Sequence, residues 1–135
     1  GIVFVEFRNA LFSLFTLNHH TTDFMLSHLM HDAGGTLLDL AAIDLIGRLR
    51  VDQPQQIDSH IPWRFHNPLT IHRLFERCGF TNIHLHWYHY HPVMPYLESE
   101  HPELFREAAL RLEGETSGWR GYFQCSAFVV EAVKA

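Results

Sequence analysis

Cysteine is scarce in this chain: Cys78 and Cys125 are the only two, and they do not form a Cys-x-x-Cys motif. Two are too few for a disulfide framework, so a reducing, cytoplasmic compartment is the expectation. Positive charge is also short, with 10 Lys and Arg against 15 Asp and Glu and a net charge of −5 with His neutral. That sign is wrong for gripping phosphate backbones, and no nucleic-acid partner is expected. No apolar run approaches the ~20 residues of a membrane span, and no basic segment leads into an apolar stretch and a small-residue cleavage site. The phosphate-cradling Gly-x-Gly-x-x-Gly and Gly-x-x-x-x-Gly-Lys motifs are missing, as are Gly-x-Ser-x-Gly and His-Glu-x-x-His. Their absence removes the usual signatures of nucleotide binding, serine hydrolysis and helical zinc sites.

What is present is enough for a folded core. The 135 residues are 47% apolar and 19% charged, which fits one soluble domain and not a disordered chain. Twelve His stand out. Protonating all of them would reverse the sign of the net charge, since each has an unperturbed pKa of about 6.5.

Ile2-Val3-Phe4-Val5-Glu6-Phe7 is a β-branched and aromatic run, the pattern of a central strand covered on both faces. Arg8-Asn9 breaks it. Residues 10–17 carry Leu11, Phe12, Leu14 and Phe15 at the spacing of a short helix, and a second helix is expected over about 22–32 after the capping oxygens of Asn18 to Thr22. Gly34-Gly35 ends it, and a third apolar helix follows over about 36–49. Residues 51–67 have no period and read as a long loop. Asn67 as N-cap and Pro68 at the first helical position begin a helix with Ile71, Leu74, Phe75 and Cys78 on one stripe and Gly79 as its left-handed cap. Strict alternation from Ile83 to His91 predicts a half-exposed strand. A helix over 102–113 buries Leu104, Phe105, Ala108, Ala109 and Leu112, and the last strand occupies the run from Tyr122 to Val130. The result is a single α/β domain with three strands and a helical cap and loop, 10–66, inserted after the first.

The His residues do not form a metal motif. His84 and His86 alternate onto one face of a strand and His89 and His91 onto the other, and a polar sheet face accounts for them more simply than a metal does. Cys78 and Cys125 fit packing roles, and Glu98, Glu100, Glu113 and Glu115 fit a solvated surface. One positional signal remains. In open α/β sheets ligands bind beyond the carboxyl ends of the strands, which makes Arg8 and Asn9 candidate ligand-binding residues under the cap. A role in merely capping and turning the chain there carries equal weight.

The motifs also carry a resemblance. Gly1-Ile-Val-Phe-Val-Glu-Phe-Arg-Asn looks like the fifth strand of a class I S-adenosylmethionine-dependent methyltransferase, Asn67-Pro-Leu-Thr with Leu74-Phe-Glu-Arg-Cys-Gly-Phe-Thr-Asn-Ile resembles its next helix and sixth strand, and Trp119-Arg-Gly-Tyr-Phe onward resembles its antiparallel seventh. The resemblance implies a partial doubly wound sheet in the order 5-7-6, a substrate cap at 10–66, and transfer of a methyl group to a small-molecule acceptor. It implies that Arg8 and Asn9 face the reaction centre and that Asn67, His89 and His91 line the acceptor pocket, with no residue marked as catalytic base. The glycine-rich loop and acidic strand ends that hold the cofactor in that family are absent from these residues. The expectation is therefore a C-terminal portion, cut before a core strand at Gly1, inactive alone and without tight S-adenosylmethionine binding. An exposed apolar edge at residues 2–7, or the apolar helices of the insertion, should then draw two copies into a homo-oligomer. A non-catalytic ligand or protein-interaction module and a His-rich metal-binding protein are the alternatives.

Overall fold

A computed structural model describes residues 1–33, 35–49, 64–116 and 118–135. Most of the expected loop, residues 51–63, lies outside them, as does Gly34. The chain divides into two compact units, residues 1–15 with 64–135 and residues 16–63.

The first unit is an α/β sheet unit. Its strands are β1 (Ile2–Asn9), β2 (Phe65–His66), β3 (Phe80–Tyr90) and β4 (Cys125–Lys134), in the order β2-β1-β4-β3. Strand β4 runs antiparallel to both β1 and β3, and β2 runs parallel to β1. Three strands were expected. The fourth, β2, is a two-residue pairing that local pattern does not announce, opposite Arg8 and Asn9.

Register decides which side chains meet. Phe7, Phe128 and Trp87 stand directly opposite one another across β1, β4 and β3, as do Val5, Val130 and Leu85. Phe7 stacks on Phe128 with centroids 5.6 Å apart, and Trp87 lies 5.8 Å from Phe128 and 4.6 Å from Tyr122. Helix α4 (Ile71–Arg77) lays Ile71 and Phe75, one turn apart, on this face, with Phe75 edge-on to Phe7 and Phe80. Gly79 ends the helix at φ +76, as expected. Gly121 touches the same row so closely that a Cβ there would lie 2.2 Å from Trp87 Cγ.

The opposite sheet face carries Phe4, Glu6 and Arg8 on β1, Ala127, Val129 and Glu131 on β4, and His84, His86 and Tyr88 on β3. His86 Nε2 meets Glu131 Oε2 at 2.7 Å. The expectation that β1 is covered on both faces is therefore corrected. Ile2 is 60% exposed and Phe4 67%, on the face opposite the Phe7 and Phe128 row against which α4 packs.

Other boundaries move for local reasons. Asn67 does not cap a helix. Its side chain accepts from the Leu69 N–H at 3.0 Å and its carbonyl from the Thr70 N–H at 3.1 Å, a turn that delays α4 to Ile71. Cys78 is exposed at the helix end instead of in the apolar stripe, and Leu74 is also exposed. Helix α6 (Pro102–Leu112), which follows the short α5 (Leu97–Glu100), starts at Pro102 as expected and buries Phe105, but Leu104 faces solvent. Tyr122 to Gln124 belong to a helical turn, α7 (Gly121–Gln124), because Gly121 and Tyr122 are seated on Trp87; β4 begins only at Cys125.

Helix α1 (Phe12–Thr16) follows β1. The described part of the second unit then contains α2 (His19–Phe24), a π-helical turn over Met25–Leu29, a 3₁₀ turn over His31–Ala33, and α3 (Gly35–Leu49). The expected 22–32 helix thus starts earlier and changes its winding. Asn18 and Thr21 form a reciprocal capping box that fixes its start. Among the described residues, no helix is long and apolar enough to cross a membrane.

Candidate functional site

Strands β1, β2 and β3 point the same way, because β1 is parallel to β2 and both β1 and β3 oppose β4. Their carboxyl ends therefore share one edge of the sheet, where Arg8 and Asn9, then Asn67, then His89 and His91 all fall. The ligand rule for α/β sheets concerns this edge.

Asn9 turns out to be occupied. It is 1% exposed, and its Nδ2 donates to the carbonyls of Tyr122 at 2.8 Å and Cys125 at 2.9 Å, with Gly121 at 3.4 Å. Its Oδ1 accepts from the Leu11 N–H at 3.0 Å. Every polar atom of the side chain is engaged, so Asn9 ties the end of β1 to the turn that enters β4. Asn67 is likewise engaged in its own turn.

Arg8 lies in a polar row with Glu6 and Tyr88. Burial, followed by the Glu6 carboxylate that accepts its hydroxyl, pushes the Tyr88 phenol up to about 12, while Arg8 opposes the shift. Tyr88 is therefore a neutral donor at ordinary pH.

His89 and His91 come together with rings 4.9 Å apart. His89 takes a left-handed backbone at φ +59 and stays exposed, while Tyr90 and His91 are buried, and Ser126 Oγ and His89 Nδ1 share a hydrogen bond of 2.9 Å. A left-handed conformation at a residue other than glycine costs of order 1–3 kcal/mol. Tyr90, between the two His, buries its ring: its N–H donates to Glu113 Oε1 at 3.0 Å and its hydroxyl to the Glu115 carbonyl. Glu113 and Glu115, read from the sequence as solvated, thus hold the end of β3, with Glu115 also paired to Arg120 at 2.9 Å. Burial raises both the Tyr90 phenol and the Cys125 thiol, the latter to about 12, so neither is a nucleophile or base near neutral pH.

His91 is the unusual group. It is 7% exposed, its ring lies 4.9 Å from Phe12 and 5.8 Å from an edge-on Phe105, and neither Nδ1 nor Nε2 has a hydrogen-bond partner. Its backbone N–H donates to Gln124 at 2.8 Å. Burial, reinforced by His89, lowers its pKa against a smaller opposing effect of Glu98. A neutral imidazole offers one donor and one acceptor, and leaving such a group buried and unpaired costs about 1–3 kcal/mol.

Phe105 also lines an open groove of about 250 Å³, together with Pro92, Val93, Leu97, His101, Leu104 and Ala108. The lining is almost wholly apolar. Phe12, Phe105 and Ser126 were not singled out from the sequence. Phe12 and Phe105 read as ordinary helix apolar residues, and no local signal places either beside His91. Among the described residues, no group of three or more His, Cys, Asp or Glu could hold a metal ion.

Comparison with known protein families, with curated proteins and with solved structures finds no match.

Proposed function

We propose that this chain is the acceptor-binding, C-terminal portion of a small-molecule methyltransferase that uses S-adenosylmethionine. The observation that carries the reading is the order of the long strands, β1-β4-β3 with β4 antiparallel to both, combined with candidate polar residues gathered where β1 and β3 end. This order is compatible with the 5-7-6 arrangement that the sequence resemblance implies. A buried imidazole beside an apolar groove at that edge suits binding of a small acceptor.

The described residues do not form a cradle for the cofactor. Strand β1 runs into Ala10-Leu11 and β3 into His91-Pro92, neither a glycine-rich turn, and the strands end on Asn9 and Tyr90, not on a carboxylate. The chain alone should show no micromolar binding in a calorimetric titration with S-adenosylmethionine, and saturable micromolar binding would overturn the division of labour. The gene gives the second test. A glycine-rich loop and acidic strand ends within ~130 codons upstream of Gly1, the balance of a domain of ~250 residues, would support the reading. A start codon adjoining Ile2 would favour a stand-alone interaction module instead.

The proposed partner of β1 is a second copy of the chain. Ile2, Phe4 and Val5 are exposed beside backbone groups that no described strand pairs with on that side, the condition in which edges associate. Light scattering at micromolar concentration should give a mass above that of a 15.8 kDa monomer, and Phe4→Lys should lower it.

A further inference from the structure

Three features lie within a few residues of one another at the end of β3. His91 is buried with both ring nitrogens unpartnered, His89 holds a left-handed backbone, and Phe105, whose ring lies 5.8 Å from His91, also lines an apolar groove. A buried polar atom left without a partner in a folded protein calls for a ligand or water to complete it. The surroundings specify what kind. The rings of Phe12, His89 and Phe105 lie against the imidazole, surroundings that suit a group with an apolar body of its own. Burial and the neighbouring His89 keep the ring neutral, which leaves one nitrogen as acceptor and the other as donor. A hydroxyl matches this, because it donates and accepts through one atom. An ammonium has no lone pair to offer.

Size narrows the ligand further. A cavity of ~150 Å³ holds benzene, and drug-sized ligands take ~300 Å³ or more. At about 250 Å³ the groove that Phe105 lines admits a substituted benzene ring or a short branched chain.

We propose that the groove lined by Pro92, Val93, Leu97, His101, Leu104, Phe105 and Ala108 binds a small alcohol or phenol, whose hydroxyl reaches the ring nitrogens of His91 when Phe105 turns aside. The apolar body occupies the groove and the hydroxyl pairs with the orphaned imidazole. The site deepens the methyltransferase reading by naming the acceptor class, and it rests on that reading only in calling the alcohol an acceptor.

The test uses the whole chain without cofactor, so that failure of binding and failure of the methyltransferase reading are separate results. 4-Ethylphenol and ethylbenzene are titrated while the imidazole nitrogens of the His residues are followed by nuclear magnetic resonance. The phenol is expected to saturate, to shift the His91 ring nitrogens, and to bind roughly three- to tenfold more tightly than the hydrocarbon, the worth of one neutral hydrogen bond. Ala108→Trp, which fills the groove, should abolish binding of both, and His91→Phe should remove the preference for the phenol. Should His91→Phe fail to fold, the paired ligands with Ala108→Trp still decide. Absence of saturation, equal affinity for the two ligands in the unmodified chain, an unmoved His91, or binding that survives Ala108→Trp would overturn the proposal.

Discussion

The two compact units have similar apolar sequences and use them differently. In the sheet unit, Cys125, Phe128, Val130 and Ala132 are wholly shielded, because β4 has a partner on each side and α4 beneath it. In the described part of the second unit, 16–33 and 35–49, the one buried side chain is the polar Thr21. Helix α3 runs for 15 residues without burying any, and Leu37, Leu40, Ile43 and Ile46 all face outward. Apolar composition is therefore not the same as core. A strand run becomes core when register sets it opposite other apolar residues. A helix of about 15 residues is marginal on propensity alone and draws most of its stability from tertiary packing. Stability should consequently be uneven, concentrated in β1, β3, β4 and α4.

That contrast can be broken or sharpened by substitution. Trp87→Ala should have the largest effect, a loss of about 3–5 kcal/mol in urea unfolding, because it removes the ring that joins Phe128 to Tyr122 and leaves a cavity. A loss below about 1 kcal/mol would mean that the aromatic row is not the core. Asn9→Ala comes next. It strands the Tyr122 and Cys125 carbonyls and the Leu11 N–H, and a fall of about 1–3 kcal/mol is expected from a denaturant midpoint. If the same variant left stability unchanged but abolished binding of an acceptor, Asn9 would belong to the ligand site and not to the scaffold.

Acid gives the third test. Burial lowers the pKa of His91, His66 and His20 in the folded chain, so below the ordinary value of about 6.5 the unfolded chain binds more protons than the folded one. Stability should be flat above that pH and fall as pH drops through the folded values. The His91→Phe variant should show a shallower fall when melting temperature is recorded against pH. The smallest effect belongs to the second unit. Leu40→Gln on α3 should stay within about 0.5 kcal/mol of the parent, as surface changes do, and a larger loss would show that this helix face is covered.

Much of the scaffold could be read along the chain. The stripe of Ile71 and Phe75 closed by Gly79, the start of α6 at Pro102, and the alternation of Ile83, Leu85 and Trp87 each depend on neighbours within a turn or a pleat. The site was less legible. The residues flagged at the ends of β1 and β3 do share one edge, but what they do there depends on groups far away in sequence. Asn9 spends its amide on carbonyls 112 to 116 residues along the chain. His91 is orphaned because Phe12 and Phe105, from helices on either side of it in sequence, close over its ring.

By itself the sequence determined the three long strands, the helices around Phe75 and Phe105, and the α/β class of the sheet, since capping, periodicity and turn chemistry act over a few residues. Only the tertiary structure decided which face of β1 is covered, that Phe65 and His66 add a fourth strand, and that the His91 imidazole is buried without a partner. Those outcomes depend on register and on which distant side chains exclude water, and neither is encoded in any local window of the chain.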